Sequence, residues 1–308
     1  MNFLFKLNRF IFNYARAFGV FDALSDEQFI KMLWKRKYHS SINLENPVTF
    51  NEKLQWLKLH DRKKEYTTMV DKYEAKKWIA KRLGSEEFVV KTYGVWDKFE
   101  DIDFNVLPNK FVLKTTHDSG GIVVCKNKQE LDIKKAKNVI NTSLHHSYYK
   151  WGREWPYKNV KPRIIAEQYL EEQAHTEIEG LTDYKFYCFN GQPKFLYVAK
   201  SNFTNGKKRD LMSVYDLNWK LTPFQRNDHE SLPYTPKKPA GFEKMIELSK
   251  KLSENIPFLR VDWYEIDGEL YVGELTFYPG AGFGEFSPKE YNYEIGKWLD
   301  ISKVGKEK

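Results

Sequence analysis

The sequence predicts an α+β protein in which helices come first and antiparallel hairpins follow. Two capping boxes, Ser25-Asp-Glu-Gln28 and Thr49-Phe-Asn-Glu52, each open a helix in the first quarter of the chain. Farther along, the dipeptides Asn190-Gly191 and Asp267-Gly268 lie between runs of strand-forming residues, as in two-residue hairpins. The first quarter is therefore helical, and antiparallel sheets with intervening helices form the rest.

The other elements follow from the same signals. Further helices are predicted at 71–84, where Gly84 takes the C-terminal cap position, at 129–150 and at 241–255. Strands are predicted at about 87–94, 111–116 and 163–171, and polar loops at 201–210 and 223–240.

The hairpin around Asp267-Gly268 carries a cluster of charges. Strand alternation keeps Arg260 and Asp262 on one face, and likewise Glu274 and Thr276. If the two faces coincide, one Arg, two carboxylates and one hydroxyl form a small patch suited to a hard cation such as Mg²⁺. The carboxylates should repel each other unless a cation lies between them, and either Arg260 or a metal could serve. A surface hairpin with ordinary salt bridges is the alternative.

A second candidate is the segment 110–126, in which an apolar run ends at Lys114 and a loop with Ser119, Gly120 and Gly121 precedes another apolar run. Glycine backbone N–H groups can approach phosphate oxygens, and a nearby Lys adds a point charge. The order of a Walker A motif is absent. A plain glycine-bearing hairpin is the alternative.

Taken together, the order of these parts resembles the ATP-grasp fold, and several segments resemble its TupA-like branch, named for teichuronopeptide synthesis. The resemblance covers roughly residues 20–300. The segments that carry it are PVTFNEKLQWLKL (47–59), DKYEAKKW (71–78), FVLKTTHDSGG (111–121), PRIIAEQYL (162–170), DYKFYCFNGQPKF (183–195) and RVDWYEIDGELYVGELTFYPGAGF (260–283). Thr276 stands where most ATP-grasp enzymes have Asn, and Asp118 puts a negative charge in the phosphate loop.

This resemblance implies two α+β lobes whose antiparallel sheets enclose ATP, in addition to a helical N-terminal region. The implied organisation is a helical region at 1–65, a small ATP-grasp lobe within 66–170, and a C-terminal lobe with the metal site at 171–308.

The resemblance also implies roles for individual residues. Phosphate binding falls to Lys72, Lys114, Ser119, Gly120 and Gly121. Glu167 and the backbone of Gln168, Tyr169 and Leu170 would bind adenine. The nucleotide site would also include Asp183, which would bind the ribose, and Lys185. The metal ligands are Asp262, Glu274 and Thr276, holding Mg²⁺. Arg260 and Lys114 act in catalysis, and His117 either moves a proton or binds phosphate.

The implied function is an ATP-dependent carboxylate–amine ligase that forms an amide through an acylphosphate. Its partners would be ATP, an amino acid or other amine, and a carboxylated sugar or polysaccharide precursor of a bacterial surface polymer. A metal-dependent glycosyltransferase is the alternative, although no Asp-X-Asp motif is present.

The composition agrees with a soluble enzyme. The net charge of +8 favours polyanionic ligands, but no nucleic-acid-binding motif occurs, so no nucleic acid partner is expected. The two cysteines, Cys125 and Cys188, lie in apolar runs and predict buried thiols in a reducing cytoplasm.

Residues 1–24 form an amphipathic, basic segment that is too charged to be a transmembrane helix or a signal peptide. Its apolar stripe either packs on the rest of the protein or contacts the inner face of the membrane.

The adjacent His145 and His146 are expected on different sides of a helix, so a shared metal is not predicted. Trp151, Arg153, Trp155 and Tyr157 either stack on sugar rings or anchor a structured loop.

Overall fold

The computed structural model describes residues 11–172, 180–204 and 207–305. After a helical stretch at 11–17, the helices are α1 (Asp26–Tyr38), α2 (Phe50–His60), α3 (Lys64–Val70), α4 (Glu74–Leu83), α5 (Ile133–Leu144), α6 (Tyr149–Gly152), α7 (Phe242–Ser253) and α8 (Tyr291–Trp298). Short 3-10 turns lie at Phe99–Asp101, Lys128–Glu130, Trp155–Asn159 and Pro279–Gly282.

The strands form two main antiparallel sheets and one small one. They are β1 (Thr92–Trp96), β2 (Phe111–Thr115), β3 (Ile122–Cys125), β4 (Ile164–Gln168), β5 (Thr182–Phe189), β6 (Gln192–Thr204), β7 (Lys207–Asp216), β8 (Gln225–Arg226), β9 (Phe258–Ile266), β10 (Glu269–Thr276) and β11 (Phe286–Ser287). The strand orders are β1-β4-β2-β3, β10-β9-β5-β6-β7 and β11-β8.

The five-stranded sheet buries one face under helix α7. Phe186 of β5 packs against Phe242 at the start of α7, with ring centroids 5.7 Å apart. The fully buried Trp263 of β9 donates from Nε1 to Ser249 Oγ at 2.8 Å. Because side chains alternate along each strand, this packing leaves the opposite face of the sheet to line a cleft.

The four-stranded sheet has its own apolar core. Phe111 and Leu113 of β2 are fully buried and cluster with Ala136 and Ile140 of α5. The chain segment before β1 connects the two sheets, since Val89 forms a parallel bridge with Val272 at the edge of the larger sheet. Val272 N–H donates to Phe88 O at 2.8 Å there. The two sheets are thus held together beside the cleft.

Most of the local signals read from the sequence are confirmed. Both capping boxes form, Gly84 ends α4 with φ 79°, and both hairpin dipeptides have positive φ at both residues. The two cysteines are buried and free.

Two local predictions were wrong. The polar segment 201–210 belongs largely to β6 and β7, which pair from Phe195↔Asp216 to Thr204↔Lys207. Its polar composition gave no apolar alternation from which a strand could be predicted. The helix expected over 129–150 is shorter, since α5 ends at Leu144 and α6 starts at Tyr149.

The N-terminal stretch is only partly described, because residues 1–10 lie outside the described residues. Phe12 and Arg16 point into the protein, where the Arg16 guanidinium lies 4.4 Å from the Trp151 ring. Ile11, Tyr14 and Phe18 lie on the other face and are 57–68% exposed. Within the described residues, no helix has both the length and the apolar character that a membrane crossing requires.

The boundaries at 65 and 170 stay a prediction. Strands β1–β4 lie before residue 170 and β5–β11 after it.

Candidate active site

The floor of the cleft is the uncovered face of the five-stranded sheet. Residues directly opposite each other in an antiparallel pair share a face. Asp262 lies opposite Glu274 on β10 and opposite Lys185 on β5. Two residues before Asp262 on β9, and so on the same face, Arg260 lies opposite Thr276 on β10. The register therefore brings the whole predicted patch onto one face, together with Lys185.

These side chains form one ion-pair cluster. Arg260 Nε and Nη2 bind Asp262 Oδ1 and Oδ2 at 2.6 and 2.7 Å, and Nη2 also lies 3.1 Å from Glu274 Oε2. Lys185 Nζ contacts Asp262 Oδ2 at 2.6 Å and Asp183 Oδ2 at 2.5 Å. Thr276 Oγ1 donates to Glu274 Oε2 at 3.1 Å. Arg260 thus lies between the two carboxylates that were expected to repel each other.

Burial and charge act in opposite directions on these carboxyl groups. Asp262 is 1% exposed, and burial alone would favour its neutral form, but Arg260 and Lys185 hold its pKa below the ordinary value. Burial, with the nearby negative charge of Asp262, raises the pKa of Asp183 to about 6 in spite of Lys185. Asp183 Oδ1 is buried and has no hydrogen-bond partner among the described residues. A ribose hydroxyl is a suitable donor for such an oxygen.

The roof of the cleft comes from the four-stranded sheet and helix α4. Glu167 of β4 is 5% exposed and binds two lysines, with Lys76 Nζ 2.7 Å from Oε1 and Lys114 Nζ 2.7 Å from Oε2. Burial opposes ionisation, but the two lysines lower the pKa of Glu167 to about 2. The Glu167 carboxylate therefore positions Lys114 and Lys76, and its side chain also lines the cavity.

Lys72 joins helix α4 to the phosphate loop, which we define as residues 116–121. The start of α4 is held by Asp71, whose Oδ1 accepts from Tyr73 N–H at 2.9 Å and whose Oδ2 binds Arg163 at 2.7 Å. Lys72 N–H donates to Thr116 O at 3.0 Å and its Nζ to Asp118 O at 2.6 Å. Lys72 thus supports the loop from below while lining the cleft.

The Asp118 carboxylate turns away from the cleft. Its Oδ2 accepts from Ser143 Oγ at 2.7 Å, its Oδ1 accepts from Ser119 N–H at 2.8 Å, and His146 Nδ1 lies 3.2 Å from Oδ1. Burial would raise its pKa, but these contacts lower it to about 2. The charge therefore anchors the loop to the end of α5 and does not face a phosphate.

His117 is also part of this anchor. Its Nε2 lies 3.1 Å from Ser143 O and 3.0 Å from His146 O, and the residue is 4% exposed. An Nε2 facing two carbonyl oxygens carries the proton and donates. This geometry is contrary to a catalytic or phosphate-binding role, because the ring is directed at the protein backbone and does not line the cleft.

Gly121 has a packing reason to be glycine. A Cβ at this position would lie 2.4 Å from both Thr115 Oγ1 and Ser143 Oγ, which are themselves hydrogen-bonded at 2.7 Å. Ser119 and Gly120 are exposed at the tip of the loop.

Between floor and roof lies a cavity of about 1400 Å³. That volume exceeds the roughly 300–1,000 Å³ of a single small-molecule pocket, so it has room for a nucleotide and a second substrate. Strand β4 ends at Gln168, whose N–H donates to Lys91 O at 2.9 Å. Tyr169 and Leu170 then leave the sheet along the cavity wall.

The structure thus brings most of the predicted residues to one cavity. Those that line it are Lys72, Lys114, Glu167, Gln168, Tyr169, Leu170, Asp183, Lys185, Arg260 and Glu274. Asp262 lies beneath Arg260, and Thr276 beside Glu274.

Sequence reasoning missed Lys76 and the group Arg226, Asp228 and His229, all of which line the cavity. Lys76 could have been found, because it follows Lys72 by one helical turn and so shares its face. The other three lie in a Pro-containing loop without a regular pattern.

A search of curated proteins found no significant match. A family model described as TupA-like ATP-grasp matches residues 52–300. The chain therefore belongs to the TupA-like ATP-grasp family, and with it to the ATP-grasp ligases.

Solved structures similar to this chain are distant ATP-grasp ligases. They include a D-alanine–D-alanine ligase from Bacillus anthracis (15% identity, 82% of this chain and 69% of that chain, TM-score 0.43). The VanG D-Ala:D-Ser ligase from Enterococcus faecalis matches at 15% identity over 77% of this chain and 58% of its own, with TM-score 0.43. A phosphoribosylamine–glycine ligase from Thermotoga maritima matches at 14% over 71% and 51%, with TM-score 0.43. The family assignment rests on the family model, and the substrates of these enzymes are not carried over.

Proposed function

We propose that this ATP-dependent ligase joins an amino acid to the carboxylate of a sugar or polymer in bacterial surface-polysaccharide assembly. The observation that carries the proposal is the Arg260–Asp262–Glu274 cluster, placed across a single cavity from Lys72, Lys76 and Lys114. Family membership decides for a ligase over the glycosyltransferase alternative. The net charge of +8 supports an anionic polymer as the acceptor.

In the first step a substrate carboxylate attacks the γ-phosphorus of ATP, the bond to the β-phosphate oxygen breaks, and ADP leaves. Lys114 and Lys72 hold the phosphate oxygens from the roof, and the 116–121 loop covers them. Lys114 is already oriented before ATP binds, because its Nζ lies 2.7 Å from Glu167 Oε2. Such positioning, together with electrostatic stabilisation, accounts for most of the catalysis of phosphoryl transfer.

In the second step an amine attacks the acyl carbon of the acylphosphate, and phosphate leaves. Arg260 lies on the floor with a permanently charged guanidinium. In this step it stabilises the negative oxygen of the tetrahedral intermediate.

Asp262, Glu274 and Thr276 would hold Mg²⁺. They offer hard oxygen donors, and Glu274 is 35% exposed in its side chain and lines the cavity. No group of three His, Cys, Asp or Glu residues suited to a metal occurs in the described part of the chain. The two carboxylates and the hydroxyl of Asp262, Glu274 and Thr276 still fit Mg²⁺, because this ion binds one or two carboxylates and takes its other ligands from phosphates and water. When bound, the ion neutralises charge on the transferred phosphoryl group.

The N-terminal helical stretch supports membrane contact of this enzyme. Ile11, Tyr14 and Phe18 expose one apolar face of a helix whose other face packs on Trp151 and α1. In the sequence, Lys6 and Arg9 precede this stretch. An exposed apolar stripe with basic neighbours suits an anionic lipid surface, where a lipid-linked polysaccharide precursor would also lie. These features support a proposed location in the cytoplasm, at the inner face of the membrane.

The test is release of ADP and phosphate from Mg-ATP in the presence of a uronic acid and a panel of amino acids. Turnover should require both substrates. Glu274→Gln is the informative variant, because Glu274 is partly exposed and, among the residues that the structure describes, forms an ion pair with Arg260 alone. Loss of an interaction made in the transition state should lower turnover by roughly a hundredfold or more while the melting temperature changes little.

Glu294→Gln is the matched control, since Glu294 forms an exposed ion pair with Lys297 at 2.7 Å away from the cavity. A wild-type enzyme that consumes sugar nucleotides and never ATP would overturn the proposal. Wild-type turnover in Glu274→Gln would remove Glu274 from the metal site.

A further inference from the structure

One wall of the cavity is not explained by nucleotide binding. Arg226, Asp228 and His229 line it together with Pro279 and Gly280. Asp228 accepts from Arg226 Nε at 2.9 Å and from Nη2 at 2.5 Å, and His229 Nδ1 lies 2.8 Å from Asp228 Oδ1. These three residues are called the Arg–Asp–His wall below.

The wall stands near the Arg260 end of the cleft floor, which is where the proposed reaction puts the acyl carbon. The positive charge of Arg226 interacts with the phenols of Tyr187 and Tyr197 on the cleft floor. Tyr187 is the strand partner of Arg260, which fixes that end of the floor. A Cβ on Gly280, four residues beyond Thr276, would lie 3.4 Å from Arg226 Nη2. Tyr169 and Leu170, which are expected at adenine, instead follow β4 of the four-stranded sheet.

The backbone holds the wall rigidly. Arg226 pairs with Phe286 between β8 and β11, and its guanidinium lies so close to Gly284 that a Cβ there would meet Cζ at 2.1 Å. Asn227 N–H donates to Glu285 O at 3.2 Å, and Met212 N–H donates to Glu230 O at 2.9 Å. His229 is therefore held in place from both sides.

The Asp228 contact determines the chemistry of the imidazole. A carboxylate next to Nδ1 keeps the proton on that nitrogen, so Nε2 carries the lone pair. Burial would raise the pKa of Asp228, but the hydrogen bonds from His229 and Arg226, together with the charge of Arg226, lower it, so this carboxyl stays ionised. His229 is 24% exposed in its side chain, so Nε2 can reach a ligand in the cavity.

We propose that His229 is the general base for the amine substrate, with Asp228 and Arg226 as its positioning residues. This proposal rests on the proposed function, in which the amine substrate is an amino acid. An amino acid is an ammonium ion in neutral water, and its nitrogen cannot attack the acyl carbon until it loses a proton. Neither Arg260 nor the lysines of the roof can accept that proton while charged.

In this step His229 Nε2 takes one proton from the ammonium group of the substrate, and the freed nitrogen lone pair forms the C–N bond to the acyl carbon. The carbonyl electron pair moves to oxygen beside Arg260. When the tetrahedral intermediate collapses, the carbonyl re-forms and the C–O bond to phosphate breaks. The phosphate leaves with the electron pair of that C–O bond and takes the second proton from the nitrogen. The sum is carboxylate, ATP and ammonium to amide, ADP, phosphate and one proton.

Two nucleophiles distinguish a base from a structural residue. An amino acid needs its proton removed, whereas hydroxylamine is a far weaker base and is already unprotonated at neutral pH. His229→Gln should therefore lower amide formation from uronic acid and amino acid by roughly a hundredfold or more, the usual contribution of a general base. Hydroxamate formation from uronic acid and hydroxylamine should stay within about twofold of wild type, because that nucleophile does not need the base.

His229→Ala provides a second variant, in which added imidazole should restore amide formation. His60→Gln is the control, since His60 stacks on Trp56 with ring centroids 4.2 Å apart and does not line this cavity. Equal loss with both nucleophiles, or no loss with either, would overturn the role of His229 and leave the ligase intact. A wild-type enzyme that makes neither amide nor hydroxamate would overturn the proposed function, and this proposal with it.

Discussion

Replacement of Glu167 by Gln tests the roof of the active site most directly. The substitution keeps the shape of the side chain and removes the negative charge that holds Lys76 and Lys114, both at 2.7 Å. Two ammonium groups would then share a buried region with no carboxylate between them. We expect both a loss of folding stability and weaker binding of ATP.

The size of the stability loss follows from the pKa of Glu167, which the two lysines lower from 4.5 to about 2 against the effect of burial. A carboxyl group whose pKa is depressed on folding stabilises the protein above its unfolded-state pKa and loses that contribution as the pH falls. The contribution is roughly 3 kcal/mol near pH 7 and roughly 1 kcal/mol near pH 3. The difference between wild type and Glu167→Gln should therefore shrink over this window.

The assay is urea unfolding of both proteins at several pH values, with ATP affinity measured by calorimetry near neutrality. Glu100→Gln is the matched control, because Glu100 pairs with Lys137 at 2.6 Å but both side chains are about half exposed. Such exposed pairs contribute little to stability. An unchanged unfolding midpoint for Glu167→Gln, or a difference that does not vary with pH, would refute the reasoning.

Three further changes test other parts of the site. Lys114→Ala should weaken ATP binding by roughly tenfold or more in calorimetry without unfolding the protein, because Glu167 keeps Lys76 as a partner; unchanged affinity would remove Lys114 from the phosphate site. Gly121→Ala should raise the KM for ATP and loosen the 116–121 loop in hydrogen exchange, since its Cβ would lie 2.4 Å from Thr115 Oγ1 and Ser143 Oγ; wild-type kinetics would contradict this packing. Serine at Ile11, Tyr14 and Phe18 should reduce sedimentation with anionic vesicles, whereas Val106→Ser, at a 72% exposed apolar position elsewhere, should not; equal sedimentation of all three proteins would refute membrane contact.

The sequence predicted which residues form the floor of the cleft, but the hairpin turn alone does not set their register. Asp267 and Gly268 adopt positive φ, and the pairs next to this turn run from Glu269↔Ile266 to Val272↔Trp263. A β-bulge between Val272 and Glu274 then shifts the register by one residue, so that Glu274 and not Gly273 lies opposite Asp262.

The phosphate loop was predicted in place but not in detail. Long-range contacts decide where its side chains point. Asp118 was read as a charge near phosphate, and His117 as a phosphate or proton ligand, yet both bind groups at the end of α5, some 25 residues away. A single sequence carries no local signal for that pairing.

The Arg–Asp–His wall shows the same limit. Arg226 reaches the cavity because β8 pairs with β11, a contact between residues about 60 positions apart in strands of two residues each. Strands this short have no detectable period, so the loop at 223–240 gave no sign that three of its residues line the site.

The two carboxylates of the floor are chemically unequal, and this decides how their variants must be interpreted. Asp262 is 1% exposed and engages both Arg260 and Lys185, so Asp262→Asn would leave two buried cations without their main partner. Removing one partner of a buried ion pair destabilises a protein by roughly 3 kcal/mol or more. Because Arg260 already compensates the repulsion between the two carboxylates, Asp262→Asn relieves little repulsion and is expected to destabilise the fold. Glu274 keeps a partly exposed side chain and forms one ion pair, with Arg260, within the described residues, so its loss separates metal chemistry from folding. Activity lost in Glu274→Gln reports on catalysis, whereas activity lost in Asp262→Asn does so only where the melting temperature is retained.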